Sequence, residues 1–177
     1  MTSGEHILIA GPSGSGKSTV AQLVGAEMNM PILSLDDYFL RGVRCDLILN
    51  EGFTKVRHWE HPRQYDGARL AADVRVRGRP CVVEGFVIFQ YPEIIELGGL
   101  RVYLDVPLAT AMQRRMDRRP RRRSDEAFAI VGEYTTAKWV SSQLSEVGGI
   151  MPVYGEAPRQ VARQIVDEWL ARSMHRR

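Results

Sequence analysis

The amino-acid sequence predicts an α/β protein with about five parallel strands and helices on both faces of the sheet. Short apolar runs alternate with stretches of helical periodicity along the 177 residues, an order typical of a parallel sheet wound with helices. The apolar runs are nearly continuous, as expected for strands buried on both faces. No repeat or change of composition marks a second domain, so residues 1–177 are expected to form a single domain.

Five apolar runs are the candidate strands, and segments with apolar residues at helical spacing connect them. The predicted strands are 6–10, 31–35, 81–84, 100–105 and 150–153. The predicted helices are 17–28, 67–76, 108–119, 125–144 and one that carries the stripe Val161, Ile165 and Trp169. Pro120 ends the third helix before it, and Pro158 suits the first turn of the last.

Composition excludes several classes of protein. Hydrophobic residues make up 44% and charged residues 25% of the chain, which is globular rather than disordered, collagen-like or coiled-coil. Cys45 and Cys81 are the only cysteines and form no C-x-x-C pair, so neither a disulfide scaffold nor a zinc site is expected. The first residues lack the features of a signal peptide, and no apolar run reaches the ~18 residues of a membrane span. We therefore expect a soluble cytoplasmic protein with no membrane partner.

The positive charge of the chain is concentrated in one segment. Residues 114–123 contain seven arginines and one acid, a net charge of +6, whereas the whole chain carries +3. The rest of the chain is therefore mildly acidic. Such a local cluster suits a polyphosphate better than a nucleic-acid footprint spread over a face, so no nucleic-acid partner is expected.

Residues 11–18, Gly-Pro-Ser-Gly-Ser-Gly-Lys-Ser, match the P-loop pattern G-x-x-x-x-G-K-[ST] between a predicted strand and a predicted helix. The glycines let backbone N–H groups turn toward phosphate oxygens, and the helix N-terminus adds partial positive charge. Lys17 can reach the β- and γ-phosphates, and Ser18 can ligate Mg²⁺. The predicted fold is therefore a P-loop NTPase three-layer sandwich with ATP and Mg²⁺ as cofactors. The expected ATP-binding residues of this loop are Gly11, Pro12, Ser13, Gly14, Ser15, Gly16, Lys17, Ser18 and Thr19.

A P-loop indicates a nucleotide but not the reaction. A transporter ATPase would carry an LSGGQ-like signature, and a switch GTPase would carry an N-K-x-D base reader; the sequence contains neither. Small kinases remain, and these need an acceptor site.

Asp36 and Asp37 follow the second predicted strand. Ligands of open α/β sheets bind beyond the carboxyl ends of the strands, where an acid can accept the proton of an attacking hydroxyl. The acids could equally cap the following turn. Position alone leaves both roles open.

Three segments resemble the uridine kinase and nicotinamide riboside kinase family. Residues 33–39, LSLDDYF, are similar to its S-x-D-x-F-Y and S-x-D-D-F-F stretches, and residues 83–89, VEGFVIF, to its E-G-F/I strand end. Residues 59–66, WEHPRQYD, resemble its F-D-H-P-x-x-F-D segment. The resemblance spans the chain from the P-loop to the last helix, with the motifs in the family's order. It implies transfer of the γ-phosphoryl group of ATP to a primary hydroxyl, such as the 5′-OH of uridine or nicotinamide riboside.

The same resemblance implies roles for individual residues. Asp36 holds the general-base position, and Glu60 holds the ribose hydroxyls unless a shifted alignment gives that role to Asp66, which otherwise caps the next helix. The implied substrate-binding residues are Asp36, Tyr38, Trp59, Glu60, Asp66 and Arg115. The implied metal-binding residues are Ser18, Asp36 and Glu84. The implied catalytic residues are Lys17, Asp36, Arg115 and Arg118, and Arg118 is also an implied ATP-binding residue.

The arginine segment, about 114–124, resembles the lid of these kinases. Arg115 and Arg118 lie three residues apart on one helical face, from which they could neutralise charge on the transferring phosphoryl group; a solvated basic turn is the alternative. Glu60 and Arg119 stand where the family usually has aspartates, and the short segment 73–80 leaves no room for the hairpin that holds the uracil ring. A kinase of a non-nucleoside acceptor, such as pantothenate or a sugar, and a regulatory NTPase without an acceptor are therefore alternatives.

Overall fold

The computed structural model describes residues 5–48, 55–117, 147–154 and 157–175. The helices are Lys17–Met28 (α1), Gly67–Val76 (α2), Pro92–Ile95 (α3), Leu108–Asp117 (α4) and Pro158–Met174 (α5). The strands are Ile7–Ala10 (β1), Ile32–Ser34 (β2), Asp46–Ile48 (β3), Lys55–Arg57 (β4), Val82–Glu84 (β5), Leu100–Leu104 (β6) and Ile150–Val153 (β7). Short 3₁₀ helices cover Leu35–Tyr38, Pro62–Gln64 and Ile88–Gln90.

Five of the described strands form one parallel sheet in the order β2-β5-β1-β6-β7. They are the five predicted strands, with ends that differ from the prediction by at most one residue. The central strand β1 lies between β5 and β6, both of which come much later in the chain. Such a reversal of strand order opens a crevice at the carboxyl ends of the strands, where α/β sheets bind their ligands.

Helices cover both faces of this sheet. All four residues of β1 are fully buried, and successive side chains point to opposite faces because a strand has a period of two. Ile7 and Ile9 belong to the apolar cluster formed with α1 and α5. Leu8 and Ala10 belong to the cluster formed with α2 and α3. The predicted three-layer α/β sandwich is confirmed.

A small antiparallel sheet, β3 paired with β4, was not predicted. The short segment 73–80 predicts no hairpin between α2 and β5; the observed hairpin precedes α2 and follows the 3₁₀ helix Leu35–Tyr38. Its strands are three residues long and begin or end with Asp46, Lys55 and Arg57, so they form no apolar run that periodicity could detect.

Two predicted elements lie wholly or partly beyond the described ranges. The predicted helix 125–144 and most of the predicted lid, from residue 118 onward, fall outside the described residues. Within those residues, no helix combines the length and apolar character needed to cross a bilayer.

Candidate functional site

The P-loop connects the end of β1 to the start of α1. Gly14 and Gly16 have φ angles of 91° and 90°, in the left-handed region that favours glycine. A Cβ atom on Gly14 would also collide with the backbone carbonyl of Ala111 in α4, so the loop packs closely against that helix. Among the described residues, no side chain caps the first turn of α1, and that turn contains no acidic residue. Its N–H groups and partial positive charge therefore face the loop, as an anion site requires.

A cavity of about 250 Å³ opens above this loop. Its lining residues come from the P-loop, from the turn after β2 and from α4: Ser13, Gly14, Gly16, Lys17, Ser18, Thr19, Asp36 and Arg115. Most of the predicted ATP-binding residues thus share one space with the predicted general base and one predicted lid arginine. Ser15 of the loop is buried and does not line this cavity.

Glu84 ends β5 and connects the P-loop to β2. The strand register places it beside Ile9 of β1 and Ser34 of β2. Its Oε1 atom accepts hydrogen bonds from the hydroxyls of Ser18, at 3.2 Å, and Ser34, at 2.6 Å. The residue is 4% exposed, and its buried Oε2 atom has no hydrogen-bond partner among the described residues.

These observations test whether the site fits Mg²⁺. A buried carboxylate is costly without a cation, and no described side chain forms an ion pair with Glu84. Carboxylate and hydroxyl oxygens are the donors that Mg²⁺ prefers. The described residues hold no cluster of three His, Cys, Asp or Glu side chains suited to a metal, but Mg²⁺ commonly binds through one or two carboxylates and substrate phosphates. The residues present therefore fit Mg²⁺ at Ser18 and Glu84.

The two acids after β2 have different surroundings. Both lie in the 3₁₀ helix Leu35–Tyr38, whose N-cap is Ser34: the Ser34 hydroxyl accepts a hydrogen bond from the Asp36 backbone N–H at 3.4 Å. Asp36 lines the cavity with Lys17, whereas Asp37 is not among the lining residues. Of the two acids, only Asp36 faces the P-loop.

Glu60 and Arg115 form an ion pair between the segment after β4 and helix α4. The Arg115 Nη1 atom lies 2.9 Å from Glu60 Oε1, and the two side chains are 21% and 8% exposed. The second carboxylate oxygen of Glu60 is buried and has no hydrogen-bond partner among the described residues. Because Arg115 also lines the cavity, it connects the segment that resembles a substrate-binding motif to the P-loop cavity.

Three aromatic side chains, Phe39, Trp59 and Tyr65, form a cluster beside Glu60. The Phe39 ring lies 6.3 Å from that of Trp59 and 5.5 Å from that of Tyr65, measured between centroids. The Tyr65 hydroxyl donates to the Trp59 carbonyl at 3.0 Å, and the Arg57 guanidinium stacks 3.7 Å from the Trp59 ring centroid. Burial raises the pKa of Tyr65, and the charges of Asp36 and Glu60 raise it further against the opposing effect of Arg115. Tyr65 is therefore a neutral hydrogen-bond donor close to both acids.

No role was predicted for Phe39, Tyr65 or Arg57. The first two occupy aromatic positions of the motifs LSLDDYF and WEHPRQYD, which was the signal that could have found them. No pattern pointed to Arg57.

Two predicted site residues, Tyr38 and Asp66, form hydrogen bonds within the fold. The Tyr38 hydroxyl donates to Asp73 in α2 at 2.7 Å; burial, followed by this acceptor, raises the pKa of Tyr38 to about 12. Asp66 caps α2 by accepting the Arg69 N–H at 2.9 Å, as the unshifted alignment implies. Arg118 lies outside the described residues. Substrate binding by Tyr38 and Asp66 stays a prediction, as do ATP binding and catalysis by Arg118.

The parallel sheet with helices on both faces and the loop formed by residues 11–18 together define a P-loop domain. Residues 7–132 match the AAA domain family, and the chain belongs to that family. No curated protein matches its sequence.

Several solved structures share the fold. A shikimate kinase from Acinetobacter baumannii in complex with shikimate is 15% identical, with a TM-score of 0.62 over 95% of this chain and 94% of that one. A gluconokinase from Sinorhizobium meliloti 1021 is 16% identical, with a TM-score of 0.56 over 97% and 96%. A sugar kinase from Janibacter sp. HTCC2649 is 19% identical, with a TM-score of 0.54 over 94% of each chain. At such identities the likeness establishes the fold, and none of these three proteins is named as a nucleoside kinase.

Proposed function

We propose that this protein is an ATP-dependent kinase that transfers the γ-phosphoryl group to a hydroxyl of a small molecule with several hydroxyls. The observation that carries this proposal is the single cavity shared by Lys17, Ser18 and Asp36. A P-loop binds phosphates, and a carboxylate across from it provides the base that an alcohol acceptor needs. Kinases with the same fold add support.

The P-loop side of the cavity would bind the triphosphate. Backbone N–H groups at the start of α1 and the Lys17 ammonium would neutralise phosphate charge. Ser18 and Glu84 would hold Mg²⁺, which, when bound, neutralises charge on the β- and γ-phosphates. Arg115 lines the same cavity, and its guanidinium would stabilise the negative charge that develops on the phosphoryl group during transfer. Arg118 would add a second positive charge from the lid.

Asp36 would act on the acceptor. The acceptor hydroxyl oxygen forms a bond to the γ-phosphorus while the bond from that phosphorus to the bridging oxygen of ADP breaks. The hydroxyl proton passes to the Asp36 carboxylate, and ADP leaves with the electron pair of the broken bond. The exposed position of Asp36 at the cavity wall gives an acceptor access to it from solvent.

The acceptor would lie against Glu60 and the aromatic side chains of Phe39, Trp59 and Tyr65. The unpartnered, buried Oε2 atom of Glu60 would accept hydrogen bonds from acceptor hydroxyls, and Tyr38, Trp59 and Asp66 are further candidate contacts. The kinases of shikimate, gluconate and sugars with this fold favour a sugar or a hydroxy acid as the acceptor, and pantothenate is a further non-nucleoside candidate. The motifs LSLDDYF and WEHPRQYD favour the second candidate, a ribonucleoside such as uridine or nicotinamide riboside.

The test is ADP release from ATP and Mg²⁺ with a panel of acceptors. The panel contains shikimate, gluconate, simple sugars, pantothenate, uridine and nicotinamide riboside, with a reaction lacking any acceptor. Release that depends on one acceptor supports the kinase and names its substrate class. Equal release in every reaction, abolished by Lys17→Ala, would instead identify an NTPase without an acceptor.

A further inference from the structure

Ser34 forms hydrogen bonds to both sides of the candidate site. Its hydroxyl donates to Glu84 Oε1 at 2.6 Å and accepts from the Asp36 backbone N–H at 3.4 Å. The chemistry fixes the direction of both bonds, because an ionised carboxylate can only accept and a backbone N–H can only donate. The single hydroxyl proton therefore has one orientation that satisfies both neighbours.

The two partners of Ser34 belong to different parts of the proposed reaction. Glu84 is the buried carboxylate that also contacts Ser18 of the P-loop, whereas Asp36 faces the cavity as the candidate base. A short O–H···O⁻ bond to a carboxylate is among the stronger hydrogen bonds in proteins. Ser34 thus fixes the Glu84 carboxylate and, through its N-cap bond, the first turn of the 3₁₀ helix that carries Asp36.

We infer that Ser34 is a positioning residue that aligns the base Asp36 with the metal-binding carboxylate Glu84. This inference rests on the proposed function. Ser34 itself would touch neither ATP nor the acceptor. Ser34 would act indirectly, because its one hydroxyl holds both the base and the metal ligand. Loss of that hydroxyl would therefore disturb both groups together.

The substitutions Ser34→Ala and Ser34→Thr separate this role from simple packing. Alanine removes both hydrogen bonds, whereas threonine retains the hydroxyl and is well accommodated in a strand. Ser173→Ala is the matched control, because the Ser173 hydroxyl also donates one hydrogen bond, to the Trp169 carbonyl at 2.9 Å, far along α5. All variants are compared by thermal melting before any activity is measured.

Two measurements are needed, and one of them does not involve catalysis. Because partners of metal ligands typically contribute 10–100-fold to metal affinity or activity, Ser34→Ala should lower kcat by about 10–100-fold. In calorimetry, Ser34→Ala should need a roughly 10-fold higher Mg²⁺ concentration to reach half of the maximal Mg²⁺-dependent gain in affinity for a non-hydrolysable ATP analogue. Its affinity for the analogue without Mg²⁺ should be unchanged. Ser34→Thr should recover both values to within about 3-fold, and Ser173→Ala should match the wild type in both.

The inference is overturned if Ser34→Ala keeps the wild-type kcat and Mg²⁺ requirement. It is also overturned if Ser34→Thr melts like the wild type but shows the same losses as Ser34→Ala. If Ser34→Ala does not fold, Ser34→Cys, which has a similar size and only a weak donor, replaces it with the same expectations. If the wild type transfers phosphate to no acceptor, the proposed function fails, and the Mg²⁺-dependent binding of the analogue alone decides whether Ser34 positions Glu84.

Discussion

The ion pair between Glu60 and Arg115 allows a quantitative prediction of stability. The Arg115→Met substitution introduces an unbranched apolar side chain and removes the guanidinium that pairs with Glu60. Only 8% of the Glu60 side chain is exposed, so water cannot replace the lost guanidinium effectively. The carboxylate would then be buried with no described side chain to compensate its charge.

Breaking a buried ion pair by removing one partner typically costs 3–5 kcal/mol of unfolding free energy. Since 21% of the Arg115 side chain remains exposed, water reaches part of the site, and we expect the low end, about 3 kcal/mol. The double variant Glu60→Gln/Arg115→Met removes both charges and should lose only about 1 kcal/mol, because replacing both partners is often neutral. Glu60→Gln alone leaves the guanidinium of Arg115 without its partner but 21% exposed and partly hydrated, so it should cost about 1 kcal/mol. The coupling energy from the double-mutant cycle should therefore be about 3 kcal/mol.

Urea unfolding at neutral pH measures these values, and Arg163→Met provides a matched control. Arg163 pairs with Glu27 at 3.3 Å, but these side chains are 68% and 41% exposed, so its replacement should cost less than about 1 kcal/mol. Equal losses for Arg115→Met and Arg163→Met, or a coupling energy near zero, would refute the reasoning.

Three further predictions concern the candidate site. Lys17→Ala should abolish ADP release and leave the melting temperature unchanged, because the ammonium faces the cavity; a folded, active variant would remove the P-loop from the proposed reaction. Glu60→Gln should raise the acceptor KM about 10-fold or more, because one charge-assisted hydrogen bond to the acceptor is lost. Asp66→Asn should leave this KM unchanged, because asparagine is also a good N-cap. If steady-state kinetics show the reverse pattern, Asp66 binds the acceptor. Gly14→Ala should abolish nucleotide binding in calorimetry, because the φ of 91° and the adjacent α4 backbone leave no room for a Cβ atom. A Cβ atom on Gly42 would meet no atom within 4 Å, so Gly42→Ala should bind the nucleotide normally.

The sheet and the P-loop could be predicted because local rules determine both. Strands that are buried on both faces require continuous apolar runs such as that of Ile7–Ala10. The P-loop needs glycine where φ is positive, and Gly14 and Gly16 satisfy this directly in the sequence.

The contacts between distant segments could not be predicted in this way. Glu84 meets Ser34 only because β2 and β5 are neighbours in the sheet, and sequence periodicity does not reveal strand order. The partners Glu60 and Arg115 are 55 residues apart, and the stacking of Arg57 on Trp59 follows from a hairpin too short and polar to leave a pattern. Motif resemblance selected Asp36 over Asp37 but gave no account of the geometry that separates them.

The most direct test of the proposed kinase follows the fate of the γ-phosphoryl group. ATP labelled with ³²P at the γ-position is incubated with Mg²⁺ and the acceptor that the panel selects, and the label is separated as phosphorylated acceptor or inorganic phosphate. Wild-type protein should place the label on the acceptor. Because a general base contributes about 10²–10⁴-fold, Asp36→Asn should slow that transfer by the same factor, with ATP binding retained and Asp37→Asn within about 5-fold of wild type. Label recovered as inorganic phosphate with every acceptor, or a fully active Asp36→Asn protein, would contradict the account.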